Sequence, residues 1–402
     1  MKFVLLIVVA LLTLTGCASA VSLAFTAPGL VGIALLPEDP EVIDVADPGT
    51  GPGSVIYAET LPNLPITATR SGMNSARVVY RSVDDSEVSG TVFTPSGDAP
   101  EGGWPVISFG HGTTGILPAC GPSLSRTLLG TADLAAGFTS AGYAVAVTDY
   151  EGLGHDGGER GAVHRYLDNA RAGYNVIDAV RALRNTFPDV SDRWVAFGGS
   201  QGGGATWAAN ELAGYAPELD LLGSVSLAPG ANMAGLVDKS IAGTLTADQA
   251  PLMQWVIESL ARADPDIDRD DYRSGSAAAD WDALTGCTPA DASARGEAAE
   301  RIGPTDFAPR TQEAADRLRA RLDEFSVPKV KASAPMMVVY GDADTYIDVA
   351  WTDEALVKAC GLGDVITIDR QPGKGHGDVD GGAVNQWIGE RFAGGPVVDD
   401  CD

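Results

Sequence analysis

Hydrophobic positions along the chain change their spacing twice. From about residue 54 to 110, short β-type runs (Ala76 to Ser82, Val88 to Phe93, Val106 to Phe109) are separated by Gly, Pro and Asp clusters, which predicts a strand-rich beginning. Apolar strands then alternate with helical patterns: Tyr143 to Thr148, a helix carrying Val176, Ile177, Val180 and Leu183 on one face, and Trp194 to Phe197. Further strands are expected at Gly223 to Ala228, Met336 to Tyr340 and Val365 to Ile368. Such alternation predicts an α/β fold with a mostly parallel central sheet and helices on both faces. Between about 229 and 330 the strand signal stops and Ala-rich, acidic helical segments take over, including the amphipathic run Leu252, Met253, Val256, Ile257 and Leu260. This divides the chain into a core at 54–228 and 331–402 and a helical cap inserted at 229–330; the plainer alternative is a helix pair packed on the side.

The beginning of the chain follows a different pattern. Lys2, an apolar run from Phe3 to Leu14 and Leu14-Thr15-Gly16-Cys17 read as a signal peptide, residues 1–17, ending in a lipobox that would lipidate Cys17. Cleavage after Ala18-Ser19-Ala20 is the competing reading and would release a free protein. Residues 18–53, rich in Pro, Gly, Ala and Asp, read as a tether or surface-wrapping arm. Either way the protein is expected to be exported, as a cell-surface lipoprotein or secreted, and an anchored form would meet the membrane through its lipid. With Cys17 modified, Cys120, Cys287, Cys360 and Cys401 remain, which in an oxidising compartment predicts two disulfides with three pairings open. A net charge of −27 repels phosphate backbones and excludes nucleic acid as a partner. With 45% hydrophobic and 20% charged residues, the chain is neither a disordered polymer nor a polytopic membrane protein. Oligomeric state is not encoded in these patterns.

Gly198-Gly199-Ser200-Gln201-Gly202 is a G-x-S-x-G, a weak signal alone among 49 glycines. Its setting strengthens it: the β-run Trp194 to Phe197 leads in, and Gly203, Gly204, Ala205 and Ala208 open a small-residue helix. Strand, sharp turn and helix present a serine as a nucleophile, whereas a plain Gly-rich turn needs no such flanks. The chain has four histidines. His376, in a glycine loop after the strand Val365 to Ile368 and before a helix starting near Gly382, is the expected base, and a surface histidine is the alternative. Asp344, in Gly341-Asp342-Ala343-Asp344-Thr345-Tyr346-Ile347-Asp348, matches the spacing of an orienting acid, with Asp342 and Asp348 expected to cap or be solvated. Oxyanion donors are expected at the amides of Gln201 and of Thr113, in Gly110-His111-Gly112-Thr113-Thr114-Gly115, with Thr114 second; His111 is assigned a structural role. Asp264, Asp266, Asp268 and Asp270 alternate as in a calcium loop, but Arg269 replaces the turn glycine and Gly275 the bidentate Glu, so neither metal nor cofactor is assigned.

Assembled, these residues resemble the secretory lipase family, the fungal lipase A type and its actinobacterial relatives, within the α/β-hydrolases. The resemblance covers most of residues 54 to 395 and rests on the Gly110 to Gly115 loop with Cys120 beyond it, Asp149-Tyr150-Glu151-Gly152-Leu153-Gly154, His164-Arg165-Tyr166-Leu167, the Gly-Ser-Gln-Gly-Gly elbow and Tyr340-Gly341-Asp342-Ala343-Asp344. It implies a carboxylic ester hydrolase, lipase or esterase, that acts on ester or lipid substrates through a Ser-His-Asp triad and an acyl-enzyme, without a cofactor. It also implies disulfides Cys120 to Cys287 and Cys360 to Cys401. Arg165, where relatives often carry proline, and the lipobox depart from the family pattern. A serine peptidase or acyltransferase on the same fold, or a non-catalytic surface lipoprotein binding lipid or glycan, are the rival functions.

Overall fold

The computed structural model describes residues 39–70 and 72–401; Cys17, the signal segment and the first part of the arm lie outside the described residues. A nine-stranded sheet runs in the order β1-β2-β3-β5-β4-β6-β7-β8-β9. Its strands are β1 (Val55–Thr60), β2 (Asn74–Arg81), β3 (Glu87–Thr94), β4 (Trp104–Gly110), β5 (Ala144–Thr148), β6 (Val190–Gly199), β7 (Asp220–Leu227), β8 (Met336–Gly341) and β9 (Ile366–Gln371). The pairs β1·β2, β2·β3 and β3·β5 are antiparallel, and the remaining five are parallel. The sheet is thus mostly parallel, with an antiparallel beginning where the sequence is strand-rich. The central strands β5 and β8 are buried along their whole length, as expected for strands covered on both faces.

Helices α1 (Ala132–Ser140), α2 (Asn169–Thr186), α3 (Gln201–Glu211), α8 (Val349–Leu362) and α9 (Val384–Phe392) cover the two faces of the sheet. Helix α2 buries Val176, Ile177, Val180 and Leu183, the stripe read from its periodicity. Asp168 caps it, its side chain accepting the Arg171 N–H at 3.0 Å, which satisfies one of the orphan donors of the first turn. Two apolar clusters result. One joins α2 to Val106, Ala144, Trp194 and Ala196, and the other joins α1 and α9 to Ile107, Val145, Val195 and Val225.

Between β7 and β8 the chain forms helices: α4 (Gly235–Ala242), α5 (Gln249–Ala263), two one-turn pieces at Gly275–Ala279 and Trp281–Thr285, α6 (Ala292–Glu300) and α7 (Gln312–Phe325). These pack around a core of Met253, Val256, Ile257, Leu260, Trp281, Phe307 and Leu318 that also takes in Ile116, Tyr166, Leu167 and Ile347 from outside the segment. A partly buried polar knot supports it: Glu258 accepts from both Arg269 and the Trp281 indole, at 3.0 Å and 2.9 Å. The alternating aspartates serve the same region. Asp264 pairs with Arg321 at 2.7 Å, Asp268 accepts the Asp270 N–H, and Asp270 pairs with Arg273. Arg165, pairing with Asp168 at 3.0 Å, stacks over Phe325 of α7 and so joins the sheet's first half to the insertion.

The cysteines pair as Cys120 with Cys287 and Cys360 with Cys401. The first bond links the loop after β4 to the insertion, across 167 residues. The second links α8 to the C-terminal segment, whose Asp400 N–H also bonds to the Ile366 carbonyl on β9. At the opposite edge, residues of the arm lie along β1: the Ile43 N–H donates to Ala58, and Val42 bridges to Glu59.

Candidate active site

The catalytic and oxyanion residues named from the sequence lie at or beyond the carboxyl ends of parallel strands, where open α/β sheets bind ligands. Strand β6 ends at Gly199 and α3 begins at Gln201, leaving Ser200 alone to turn the chain. Ser200 has φ 58° and ψ −121°, a conformation that side chains rarely adopt. Several hydrogen bonds hold it there: its N–H donates to Leu227 O at 2.8 Å, and its carbonyl accepts from Gly203 and Gly230 at 3.0 and 2.9 Å. The flanking glycines are a matter of space, because a Cβ on Gly202 would run into the Gly110 carbonyl and one on Gly198 into the Gly202 carbonyl.

His376, in the loop between β9 and α9, places Nε2 2.9 Å from Ser200 Oγ and Nδ1 2.7 Å from Asp344 Oδ2. The other oxygen of Asp344 accepts the Tyr346 and Ile347 N–H groups at 2.8 and 3.0 Å. The carboxylate is 3% exposed and therefore firmly oriented. Its neighbours have other partners. Asp342 accepts the Gly373 N–H at 2.6 Å and fixes the start of the histidine loop. Asp348, expected to cap or be solvated, instead binds Lys239 of α4 at 2.7 Å and Gln249 of α5 at 2.8 Å, tying the insertion to the end of β8.

The loop after β4 runs beside the nucleophile, a Cβ on Gly112 falling 3.7 Å from the Ser200 Cβ. The backbone N–H groups of Thr113 and Gln201 find no acceptor among the described residues, so both are free to donate. Thr113 Oγ1 bonds to Tyr166 OH at 2.8 Å, and burial pushes that phenol up to about 12. Thr114, the second choice as donor, has its hydroxyl buried without a partner among the described residues. His111 is buried beneath this loop, Nδ1 2.6 Å from Gly112 O and Nε2 3.2 Å from Asp149 O, and burial lowers its proton affinity. It does not approach Ser200 within hydrogen-bond distance among the described contacts.

Sequence reasoning missed the residues that brace these groups. Tyr150, at φ 69°, donates to His111 O at 2.9 Å and lies 4.4 Å from its ring. His164 places Nδ1 3.0 Å from Glu151 O and Nε2 3.0 Å from the Gln201 amide nitrogen. The neutral ring satisfies both contacts by donating from Nδ1 and accepting at Nε2. Burial pushes His164 down to about 3, so it holds the Gln201 side chain as a neutral acceptor. The motifs around Tyr150 and His164 were visible in the sequence, but their geometry was not.

A cavity of about 510 Å³ opens over Ser200, lined by Thr113 and His376 from the core, by Leu252, Trp255 and Arg295 from the insertion, and by Tyr346 among others. The Tyr346 ring lies 4.9 Å from that of His376. A larger polar depression of about 620 Å³ opens around Trp104 and Val190, at the opposite ends of β4 and β6, remote from the nucleophile.

The sheet order, the turn at Ser200 and the acid and histidine on the loops after β8 and β9 define an α/β-hydrolase. The chain belongs to the secretory lipase family, whose model matches residues 127–400. Among solved structures it is similar to lipase A of Candida antarctica in its closed state, with TM-score 0.66 and 18% identity over 87% of this chain and 84% of that one. It is also similar to LipA of Xanthomonas oryzae, a rice cell wall degrading esterase, in a ligand-bound form, with TM-score 0.61 and 18% identity over 85% and 97% of the two chains. No curated protein matches by sequence. Family and fold together support carboxylic ester hydrolysis.

Proposed function

We propose that the protein is an exported serine carboxylic ester hydrolase in which Ser200 is the nucleophile, His376 the general base and Asp344 its orienting acid. The single observation that carries this reading is the continuous relay, Ser200 Oγ to His376 Nε2 at 2.9 Å and His376 Nδ1 to Asp344 Oδ2 at 2.7 Å, with Ser200 and His376 lining a cavity. Ser200 Oγ attacks the ester carbonyl carbon as His376 Nε2 takes the hydroxyl proton. The tetrahedral oxyanion accepts from the amides of Thr113 and Gln201, which have no other acceptor to give up. Collapse breaks the bond to the alcohol oxygen, which leaves with the proton from His376, and Ser200 carries the acyl group. Water then attacks the acyl carbon, passes a proton to His376, and the second collapse returns that proton to Ser200 as the carboxylic acid departs. Asp344 keeps the Nδ1 proton in place and stabilises the imidazolium without taking the proton.

Two disulfides and the family assignment favour an oxidising compartment. Lipidation of Cys17 would hold the enzyme at a membrane surface, within reach of lipid esters. The test is hydrolysis of p-nitrophenyl esters from acetyl to palmitoyl by wild type and Ser200→Ala. Turnover lost by several orders of magnitude in the variant supports the mechanism, with the preferred chain length separating lipase from esterase. An inactive wild type, or a variant as active as wild type, would contradict it.

A further inference from the structure

Arg295 is the only arginine or lysine among the described residues lining the cavity over Ser200. It projects from α6, where its Nε donates to Leu284 O at 3.2 Å and its guanidinium carbon lies 3.9 Å from the centre of the Trp255 ring. A backbone acceptor on one edge and an aromatic face beneath fix the plane of the fork. Its two terminal nitrogens have no acceptor among the described residues, and no carboxylate there comes within salt-bridge distance of it. Elsewhere in the insertion Arg269, Arg273, Arg301 and Arg321 each pair with an Asp or Glu. In a chain of net charge −27, a half-buried guanidinium facing the reaction cavity without an acid is an unmet electrostatic demand. The cavity's own carboxylate, Asp248, is engaged at its rim by the Thr345 hydroxyl at 2.6 Å.

We infer that Arg295 is a specificity residue that holds a carboxylate on the substrate, so that the site prefers esters bearing an anionic group to purely apolar ones. This rests on the proposed ester hydrolysis at Ser200. A planar fork already stacked on Trp255 loses little freedom when it donates to a carboxylate in bidentate fashion. An incoming anion also supplies the counter-charge that burial leaves wanting, and burial without an acid partner lowers the proton affinity of Arg295. The arrangement joins the oxyanion loop as well: Trp255 packs edge-on to Tyr166, which holds Thr113. An anion seated on Arg295 therefore braces the wall that presents one of the oxyanion donors.

The test compares 4-nitrophenyl hemiglutarate with 4-nitrophenyl pentanoate, and 4-carboxyphenyl butyrate with 4-acetylphenyl butyrate, placing the charge on the acyl or the alcohol part. In wild type at low salt, one charged ester should exceed its neutral partner in kcat/KM, and the pair that does so locates the anion. In Arg295→Met that charged-to-neutral ratio should fall about 10- to 100-fold, the range for a charge-assisted hydrogen bond, with Arg295→Lys in between. A wild type that favours both neutral esters, or an Arg295→Met whose ratio is unchanged, would overturn the inference. Should Arg295→Met not fold, the Arg295→Lys ratio decides in the same way. If no ester is turned over, the ester hydrolase reading fails separately, and calorimetry of glutarate monoamide with Ser200→Ala judges the anion site. Binding abolished by 0.5 M NaCl supports the site, and absence of binding overturns it.

Discussion

Asp344→Asn changes two atoms' chemistry and no shape, and the surroundings dictate how the new side chain must sit. One oxygen of Asp344 accepts two backbone N–H groups, from Tyr346 and Ile347, while the other faces His376 Nδ1 at 2.7 Å. The carboxamide keeps both backbone bonds only if its oxygen stays toward them and its NH₂ turns to the histidine. The reverse orientation gives up two hydrogen bonds, each contributing about 1 kcal/mol, and sets donor against donor in a buried pocket. The NH₂ therefore faces Nδ1, which must become the acceptor, and the ring proton moves to Nε2, opposite Ser200 Oγ. A base already carrying its proton there cannot take the serine's. Other triads lose roughly 10⁴-fold in kcat by this tautomer switch, about 5 kcal/mol of barrier. The assay is ester hydrolysis beside Asp342→Asn, in which the amide oxygen can still accept the Gly373 N–H and kcat should stay within about threefold. Imidazole nitrogen NMR should report the proton on Nε2. A turnover within tenfold of wild type in Asp344→Asn, or an equal loss in Asp342→Asn, would refute the reasoning.

His164 makes stability depend on pH. Its folded proton affinity is lowered, to about 3, so the native state favours the neutral ring and its contribution is present above about 6.5, the unfolded value, and lost as pH falls toward 3. Between pH 7 and pH 4.5 this amounts to roughly 3 kcal/mol; urea unfolding should show that loss in wild type and a shallower slope in His164→Gln, while parallel slopes would contradict it. Gly202→Ala should destabilise the fold by about 1–3 kcal/mol or more through the clash with Gly110, whereas Gly199→Ala, whose Cβ meets nothing closer than 3.8 Å, should be tolerated, as thermal melts can check. Cys401→Ser opens a cross-link across 41 residues and should cost about 2–4 kcal/mol by denaturant unfolding, with an unchanged midpoint arguing against it.

Strands whose apolar runs were unbroken could be read from sequence. Trp194 to Phe197 lies inside β6, but the strand begins at Val190, its early part hidden by the exposed Asp192 and Arg193. Strand β1 went unnamed because four of its six residues face solvent or are only partly covered, so no apolar run marks it. Ser200, His376 and Asp344 were legible because glycines, strand ends and chain order mark them locally, and the structure brings these three within hydrogen-bonding distance in series. Arg295 was not legible. It lies on α6, whose Ala-Ser-Ala-Arg-Gly-Glu sequence reads as a solvated face, and only the fold places it over Trp255. Leu252 was read as one member of an amphipathic run with Met253, Val256, Ile257 and Leu260, and it lines the cavity while those four are buried. Periodicity identifies the inward stripe of a helix but not which of its margins borders a cavity.

Covalent capture of the nucleophile tests the central proposal most directly. The purified full chain treated with a fluorophosphonate should gain one adduct by intact mass, mapped by peptide sequencing to Ser200, absent in Ser200→Ala and much slower to form in Asp344→Asn. A folded protein that stays unlabelled, or an adduct on any other residue, would contradict a triad built on Ser200.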